Sequence, residues 1–453
     1  MKTNIGSSSE INLICLLGAF LMILIPYTVQ TQALLIVSIC GIGILIGEMF
    51  FKKHFYLLYI APMLCVPSGL AMYDLDLSGI AALNKGIRMW EFYPLILLAL
   101  FKILKIKDNT ISKYINFIVV PCILVSIMQY LITDSENEYM RLYPMLATGV
   151  CIMIMVYYDK KLTFLDFYKY ISVLFFISSV YVLLQYIHIS PYNFVTEMTS
   201  GNAGVNRLSG LLGHPLFLAF FVSFFQTMVY IRLLLYKKIN VLHVCICLII
   251  GFLTVSRVFI LSLLVVSFMY LVLSGKIKSF KAILGMIIVF CLSYYALTEF
   301  DVGLFSDFKS RFENGDTNHR LGTYEIAFFL LGQNILGSGY SNVMQTVYST
   351  RMNTNMLIAD FATVDNLFLT SFIAYGILSV FFILYYYYPL VWTWKFRNRN
   401  KMIFKSMLLL FVNVFIYSCT LDWESSIVVS VLVFSLSGLL LRLFNSQNEL
   451  YNN

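Results

Sequence analysis

Along this chain apolar residues come in long runs cut by short polar connections, and a run of roughly 17 to 25 apolar residues is what a helix needs to cross a bilayer. Counted that way, the pattern predicts about fourteen spans, near 11–27, 33–51, 55–72, 89–105, 114–132, 142–158, 165–187, 214–236, 239–255, 258–274, 281–298, 366–393, 402–420 and 425–444. One interval breaks the rhythm. Residues 299–365 are neither continuously apolar nor a short turn, and a connection of that length in a compact protein is either functional or disordered. Its patterning is not that of disorder. It has an amphipathic middle (Tyr324, Ile326, Ala327, Phe328, Phe329, Leu330), a glycine turn (Gly337, Ser338, Gly339, Tyr340) and scattered charges. Residues 322–331 read as a helix lying at the interface, apolar face toward lipid or a neighbouring span.

The expected fold is therefore an all-α polytopic integral membrane protein in three parts. A transmembrane bundle of about eleven helices occupies 1–298, one large external loop 299–365, and further transmembrane helices with a short tail 366–453. The loop is near the lower size limit for an independent core, so it should pack on the bundle. No fixed-period repeat is visible.

Composition sharpens this picture. Hydrophobic residues make up 60 % of the chain and charged ones 12 %, with mean hydropathy +0.83, against a soluble norm of roughly 25 % charged. The net charge of +8 does not point to nucleic acid, because the basic residues sit in short clusters between apolar runs, where they orient helices. Placing the N-terminus inside puts about 20 of the 31 Lys and Arg in the cytoplasmic connections and tails, both termini in the cytoplasm, and residues 299–365 outside. The first apolar run, Ile11 to Tyr27, lacks a basic leader and a small-residue cleavage site, and reads as a retained span. Nine cysteines fall in or beside apolar runs without metal or redox spacing, and read as small buried apolar residues.

Against that polarity, external arginines are the unexpected ones: Arg207 and Arg257 in the connections before the spans at 214–236 and 258–274, and Arg320 and Arg351 in the long loop. A guanidinium is a permanently charged planar fork that matches phosphate oxygens two at a time, so converging arginines suit a diphosphate. The plainer alternative is that each snorkels to a headgroup or pairs with an acid. Asp365, at the mouth of the span that leaves the loop, is placed to act as a general base if partly desolvated, or to cap that helix, or both. His319 is a second candidate acid or base. His214 and Asn366 are candidate ligand contacts, and Tyr324, Tyr340 and Tyr348 could stack on sugar rings. His54 and His243 read as structural. No histidine pair has metal spacing, so no metal or cofactor is expected.

Four segments carry a resemblance: NRLSGLLGHPLFLAFF (206–221), LTVSRVFILSLLVV (253–266), HRLGTYEIAFFLLGQNILGSGYSN (319–342) and DNLFLTSFIAYGILS (365–379). In order and spacing around one external loop they resemble the bacterial O-antigen and capsular polysaccharide polymerase (Wzy) and O-antigen ligase (WaaL) superfamily. The resemblance covers the second half of the chain; the first half matches only as a hydrophobic bundle. It implies a GT-C-like, metal-independent membrane glycosyltransferase acting on undecaprenyl-diphosphate-linked sugars at the outer face of the bacterial cytoplasmic membrane. Arg207, Arg257 and Arg320 match arginines thought to hold the donor diphosphate, and Gly337 and Gly339 match the loop's glycine turn. A chain-length regulator and a flippase are the implied partners. Asp365 stands where ligases of this superfamily have a His before Asn, which favours polymerase over ligase. A lipid-linked oligosaccharide flippase is the alternative of another class, though flippases usually have two related halves and short external loops.

Overall fold

The computed structural model describes residues 5–25, 30–51, 54–65, 94–104, 109–133, 149–187, 198–200, 205–212, 215–276, 366–420 and 427–451, with short pieces between 327 and 350. Helix dominates. By length and composition alone, seven helical segments among the described residues are long and apolar enough to cross a membrane: Thr110–Gln129, Phe164–Tyr186, Pro215–Tyr236, Arg257–Ser274, Lys401–Ser418, Val428–Ser446 and Leu367–Lys395, the last of which is interrupted at Gly376. Each falls on a predicted span. Five shorter apolar helices, Glu10–Leu24, Ile39–Glu48, Phe55–Cys65, Pro94–Leu104 and Val241–Leu253, fall on others. The span predicted at 281–298 lies outside the described residues.

In chain order the helices are α1 (Ile5–Leu24), α2 (Gln30–Phe51), α3 (Ile60–Cys65), α4 (Pro94–Leu104), α5 (Asn109–Tyr114), α6 (Val120–Thr133), α7 (Cys151–Tyr158), α8 (Phe164–Tyr186), α9 (Pro215–Tyr236), α10 (Val241–Leu253) and α11 (Arg257–Ser274). They continue with α12 (Leu367–Tyr375), α13 (Ser379–Lys395), α14 (Lys401–Ser418) and α15 (Ile427–Tyr451). A π-helical turn, Ile115–Val119, joins α5 to α6. A small antiparallel ribbon, β1 (Met198–Ser200) and β2 (Val205–Arg207), sets Met198 opposite Arg207.

Between helices in lipid the hydrophobic effect gives no net drive, so association rests on close packing. Helix α9 is the hub, packed by α8, α10, α11, α14 and α15. Its Phe220, Phe221, Phe224 and Phe225 are fully buried, with Phe225 stacked on Phe175 of α8 at 4.3 Å and Phe220 edge-on to Tyr417 of α14 at 5.1 Å. Helices α7 and α15 come closest where Gly438 lies; a Cβ there would stand 2.7 Å from the Met153 carbonyl oxygen.

Side-chain ties group the connections into two ends. At the end with the basic connections, Asp159 pairs with His54 and accepts from Tyr56 Oη at 2.8 Å. Arg442 of α15 donates there to the Val156 carbonyl at 3.5 Å and to the Leu162 carbonyl, and Asn445 reaches Thr110 and Tyr157. At the opposite end, Gln185 Oε1 accepts from the amides of Ser209 and Gly210, Asn366 ties to Cys419, and Gln129 donates to the Leu336 carbonyl. Arg442 is a buried cation within α15.

The His54–Asp159 pair has a definite pH signature. Burial pushes His54 down, but the hydrogen bond and charge of Asp159 outweigh it, leaving its pKa raised above 6.5. Burial pushes Asp159 up, and the bond and charge of His54, with the Tyr56 hydroxyl, leave it lowered below 3.8. The pair's contribution is therefore complete between those two ordinary values. It is lost as pH rises through the raised His54 pKa, and as pH falls through the lowered Asp159 pKa. Thermal midpoints of wild type and His54→Gln in detergent should thus converge well above pH 7 and diverge most near pH 5. A pH-independent gap between them would show that the pair is not an ion pair in solution.

Candidate functional site

The predicted span at 366–393 is not one helix. Phe368 and Tyr387 are nineteen positions apart, about 28 Å along a straight helix at 1.5 Å per residue. Yet their rings lie 6.1 Å apart, and Phe368 also meets Phe415 at 5.7 Å. The chain doubles back at Gly376 (φ +56), and α12 and α13 form a hairpin closed by the 3-10 turn Gly376–Leu378. An uninterrupted apolar run hides such a break, whose sole sequence signal is a lone glycine in AYGIL.

The end of the long loop is docked into that break. The amides of Ser338 and Gly339 donate to the carbonyls of Ile373 and Ala374, and the Ile377 amide returns to the Ile335 carbonyl, each at 2.9 Å. The first two bonds satisfy carbonyls that the ending of α12 would leave without helical partners. Gly337 and Gly339 both take φ +83. A Cβ on Gly337 would lie 2.3 Å from the Ala374 oxygen, and one on Gly376 1.9 Å from the Ile335 oxygen, so the two strands of chain approach at glycine distance from both sides. Non-helical backbone in an apolar bundle is tolerated where protein satisfies it, as here.

Asn366 begins α12. Its Oδ1 accepts from the Leu369 amide at 3.1 Å and its Nδ2 donates to the Cys419 carbonyl at 3.1 Å. The capping role considered for Asp365 thus belongs to Asn366, whose polar atoms are engaged within the fold. Asp365 itself lies outside the described residues.

Two further stretches, those that carry Arg257 and Arg207 in sequence, hold buried polar atoms without protein partners. Arg257 is the first residue of α11 rather than part of the turn before it, and is half-buried. The preceding Ser256 is 1 % exposed, occupies the N-cap without making a capping bond, and its Oγ has no protein partner. Before it, Val255 is held at φ +48, a backbone region that a β-branched residue avoids. The turn is closed by Val255 N donating to Phe252 O at 3.0 Å and Thr254 Oγ1 to Gly251 O at 2.7 Å. Strain of this sort persists where surrounding structure imposes it, commonly at functional sites. Arg207 ends β2, and the chain after it is pinned by Gln185 at the end of α8. There Ser209 Oγ and Gln185 Nε2 are buried without protein partners. Buried polar atoms are nearly always paired, so orphaned atoms at Ser256, Ser209 and Gln185, within two residues in sequence of Arg257 or Arg207 or bonded to that stretch, mark both stretches as candidates for binding a polar ligand.

The structure brings Gly337, Gly339 and the helix capped by Asn366 together, sets Arg257 on a helix that packs on α9, and places Arg207 at the end of β2, just before the turn Gly210–Leu212 that packs on α8 and α9. His319, Arg320, Tyr324, Tyr340, Tyr348, Arg351, His214 and Asp365 lie outside the described residues. Among the described residues, no group of three His, Cys, Asp or Glu side chains converges as metal ligands do. Sequence reasoning missed Ser256, Ser209 and Gln185, since a serine or glutamine in an apolar stretch gives no signal until its burial and lack of a partner are known.

No protein-family model matches the chain, and no curated protein matches it.

Proposed function

We propose that the protein is a polysaccharide polymerase, an inverting membrane glycosyltransferase. It moves a growing glycan from undecaprenyl diphosphate onto the sugar end of a lipid-linked repeat unit, at the outer face of the bacterial cytoplasmic membrane. The observation that carries this reading is the start of α11: a permanent cation at Arg257, the buried unpartnered hydroxyl of Ser256, and the positive end of an 18-residue helix at one point. A phosphate oxygen is a ligand that a guanidinium, a serine hydroxyl and a helix N-terminus can each bind. The resemblance of the four sequence segments supports the sugar and lipid chemistry.

In this reaction the acceptor hydroxyl oxygen bonds to the anomeric carbon while the bond from that carbon to the diphosphate oxygen breaks. The electron pair leaves with the diphosphate, where Arg257, Arg207 and the loop arginines Arg320 and Arg351 offset its charge. The hydroxyl proton passes to Asp365, one residue before the Asn366 cap and so tied in sequence to the docked hairpin, or to His319. One displacement inverts the anomeric configuration. The loop's glycine turn, held on the α12–α13 break, sets where the loop re-enters the bundle.

The test is made in vitro with purified protein, a synthetic undecaprenyl-diphosphate repeat unit and EDTA. A ladder of longer lipid-linked products is expected, and Asp365→Asn should reduce its rate by about 10² to 10⁴, the range of general-base contributions. Transfer only to an added lipid A core would make the protein a ligase. The hairpin at Gly376 favours one reading of another class, a lipid-linked oligosaccharide flippase, because broken helices often line substrate paths. Lipid translocation in liposomes without any glycan transfer would establish that reading instead.

A further inference from the structure

A second site stands at the other end of the bundle. Helices α8, α9 and α10 enclose a cavity of about 560 Å³ whose lining includes Lys169, Arg232, Tyr168, His243, Phe176 and Ile177. Its wall along α8 is apolar and open to the surroundings, with Phe176 56 % exposed. Its floor is cationic. The Arg232 guanidinium lies 4.8 Å over the Tyr168 ring, whose hydroxyl shares a 2.6 Å hydrogen bond with His243 Nδ1. Arg232 Nε is buried with no protein partner. Lys169, exposed at the rim, donates to Asn12 of α1.

Depth identifies the ligand class. Lys169 lies six residues from the Thr163 cap of α8, and Arg232 five residues before Lys237 at the end of α9, so both cations stand about 8 to 9 Å inside their helix ends. From such a position the long side chains of Lys169 and Arg232 reach a headgroup phosphate by snorkelling toward the helix end. An apolar wall rising from a pair of cations at this level matches an amphiphile with one anionic group and a long hydrocarbon tail. No acidic residue is among those lining the groove.

We propose that this groove binds an anionic phospholipid at the basic end of the bundle, its phosphate between Lys169 and Arg232 and one acyl chain along Val173, Phe176 and Ile177. The site is separate from the arginine cluster of the opposite end. It would tie α8, α9 and α10 together from the lipid side.

The experiment is native mass spectrometry of the delipidated full chain titrated with dioleoyl phosphatidylglycerol or dioleoyl phosphatidylcholine. Phosphatidylglycerol should bind at least about tenfold more tightly, and Lys169→Gln and Arg232→Gln should each cut that preference about fivefold, as expected for one basic group facing an anionic lipid. Lys169 is exposed, so its replacement leaves folding intact even if Arg232→Gln does not. Lys238→Gln, on the same surface but outside the groove, should change nothing. Equal binding of the two lipids, or a preference that both groove variants leave intact, overturns the proposal. So does an equal loss with Lys238→Gln, which would mean diffuse surface charge. Displacement of the lipid by equimolar sn-glycerol 3-phosphate would identify a free phosphate ester as the ligand instead.

Discussion

Arg257→Gln will lower the rate of chain extension about 10²- to 10³-fold, the loss typical when one preorganised donor to a developing anion is removed from a water-poor site. The fall should appear in kcat as well as in kcat/KM, because charge on the diphosphate grows as its bond to sugar breaks. Arg257→Lys should recover part of the rate, since the charge remains while the two-pronged fork is lost. The neighbouring Ser256 separates a role in binding from a role in folding. Its hydroxyl is buried and makes no protein hydrogen bond, so Ser256→Ala removes an unsatisfied polar group and should raise stability by up to about 1 kcal/mol. If the hydroxyl meets the diphosphate, the same change should cost about tenfold in rate, the worth of one hydrogen bond to a charged group. A variant more stable and less active is the diagnostic pair of results. Unchanged rates in both Arg257→Gln and Ser256→Ala would remove the start of α11 from the mechanism.

The second large effect is on folding. Gly376→Ala would force a methyl group to within 1.9 Å of the Ile335 carbonyl oxygen while keeping φ at +56. The clash is with backbone, which is itself held by the bonds from Ser338 and Gly339, so it cannot move without opening the docked loop. Destabilisation of about 3 kcal/mol is expected, near the upper end for single substitutions. Gly275 supplies the control: it has φ +73 at the end of α11, with nothing within 4 Å of a Cβ, so Gly275→Ala should cost only about 1 kcal/mol, the conformational part alone. Thermal midpoints of the two variants in detergent compare the terms directly. Equal shifts would mean that the α12–α13 break is not clamped by the loop. Activity adds a second readout, because undocking the loop should reduce transfer even at temperatures where the bundle remains folded.

Much of the helical framework was legible because the physics behind it is local. A bilayer imposes a minimum apolar length on each spanning helix, so Pro215–Tyr236 or Lys401–Ser418 could be bounded within two residues from hydropathy alone. Thr163 and Asp166 likewise announce the start of α8 as a capping box. The run from 366 to 393 failed for the complementary reason. Hydropathy registers how apolar a segment is and carries no information on its direction, so a hairpin of two helices and one long helix look alike. The helix Val241–Leu253 is shorter than its predicted span because Thr254 and Val255 tighten into a turn, although both are apolar enough to extend the run.

The candidate site divides along the same line. Arg207 and Arg257 were conspicuous because a cation on the side of a membrane protein that usually lacks them is already anomalous in a one-dimensional reading. The donors beside them were silent. Ser256, Ser209 and Gln185 matter because they are buried and unpartnered, and burial and pairing depend on which distant elements pack around them. Asn366, by contrast, was noticed for its neighbour Asp365, and its actual partners lie three residues on and across the bundle at Cys419.

By itself, then, the sequence determined that this is a strongly apolar, helix-rich chain with its basic residues clustered between apolar runs, because span length and charge placement each act within a few residues. Only the tertiary structure decided that the helix after the long loop turns back at Gly376, that glycines 337 and 376 face each other across that turn, and that Ser256, Ser209 and Gln185 carry buried polar atoms without protein partners. These are close approaches between segments tens of residues apart, and their energies arise only when packing has brought the segments into contact.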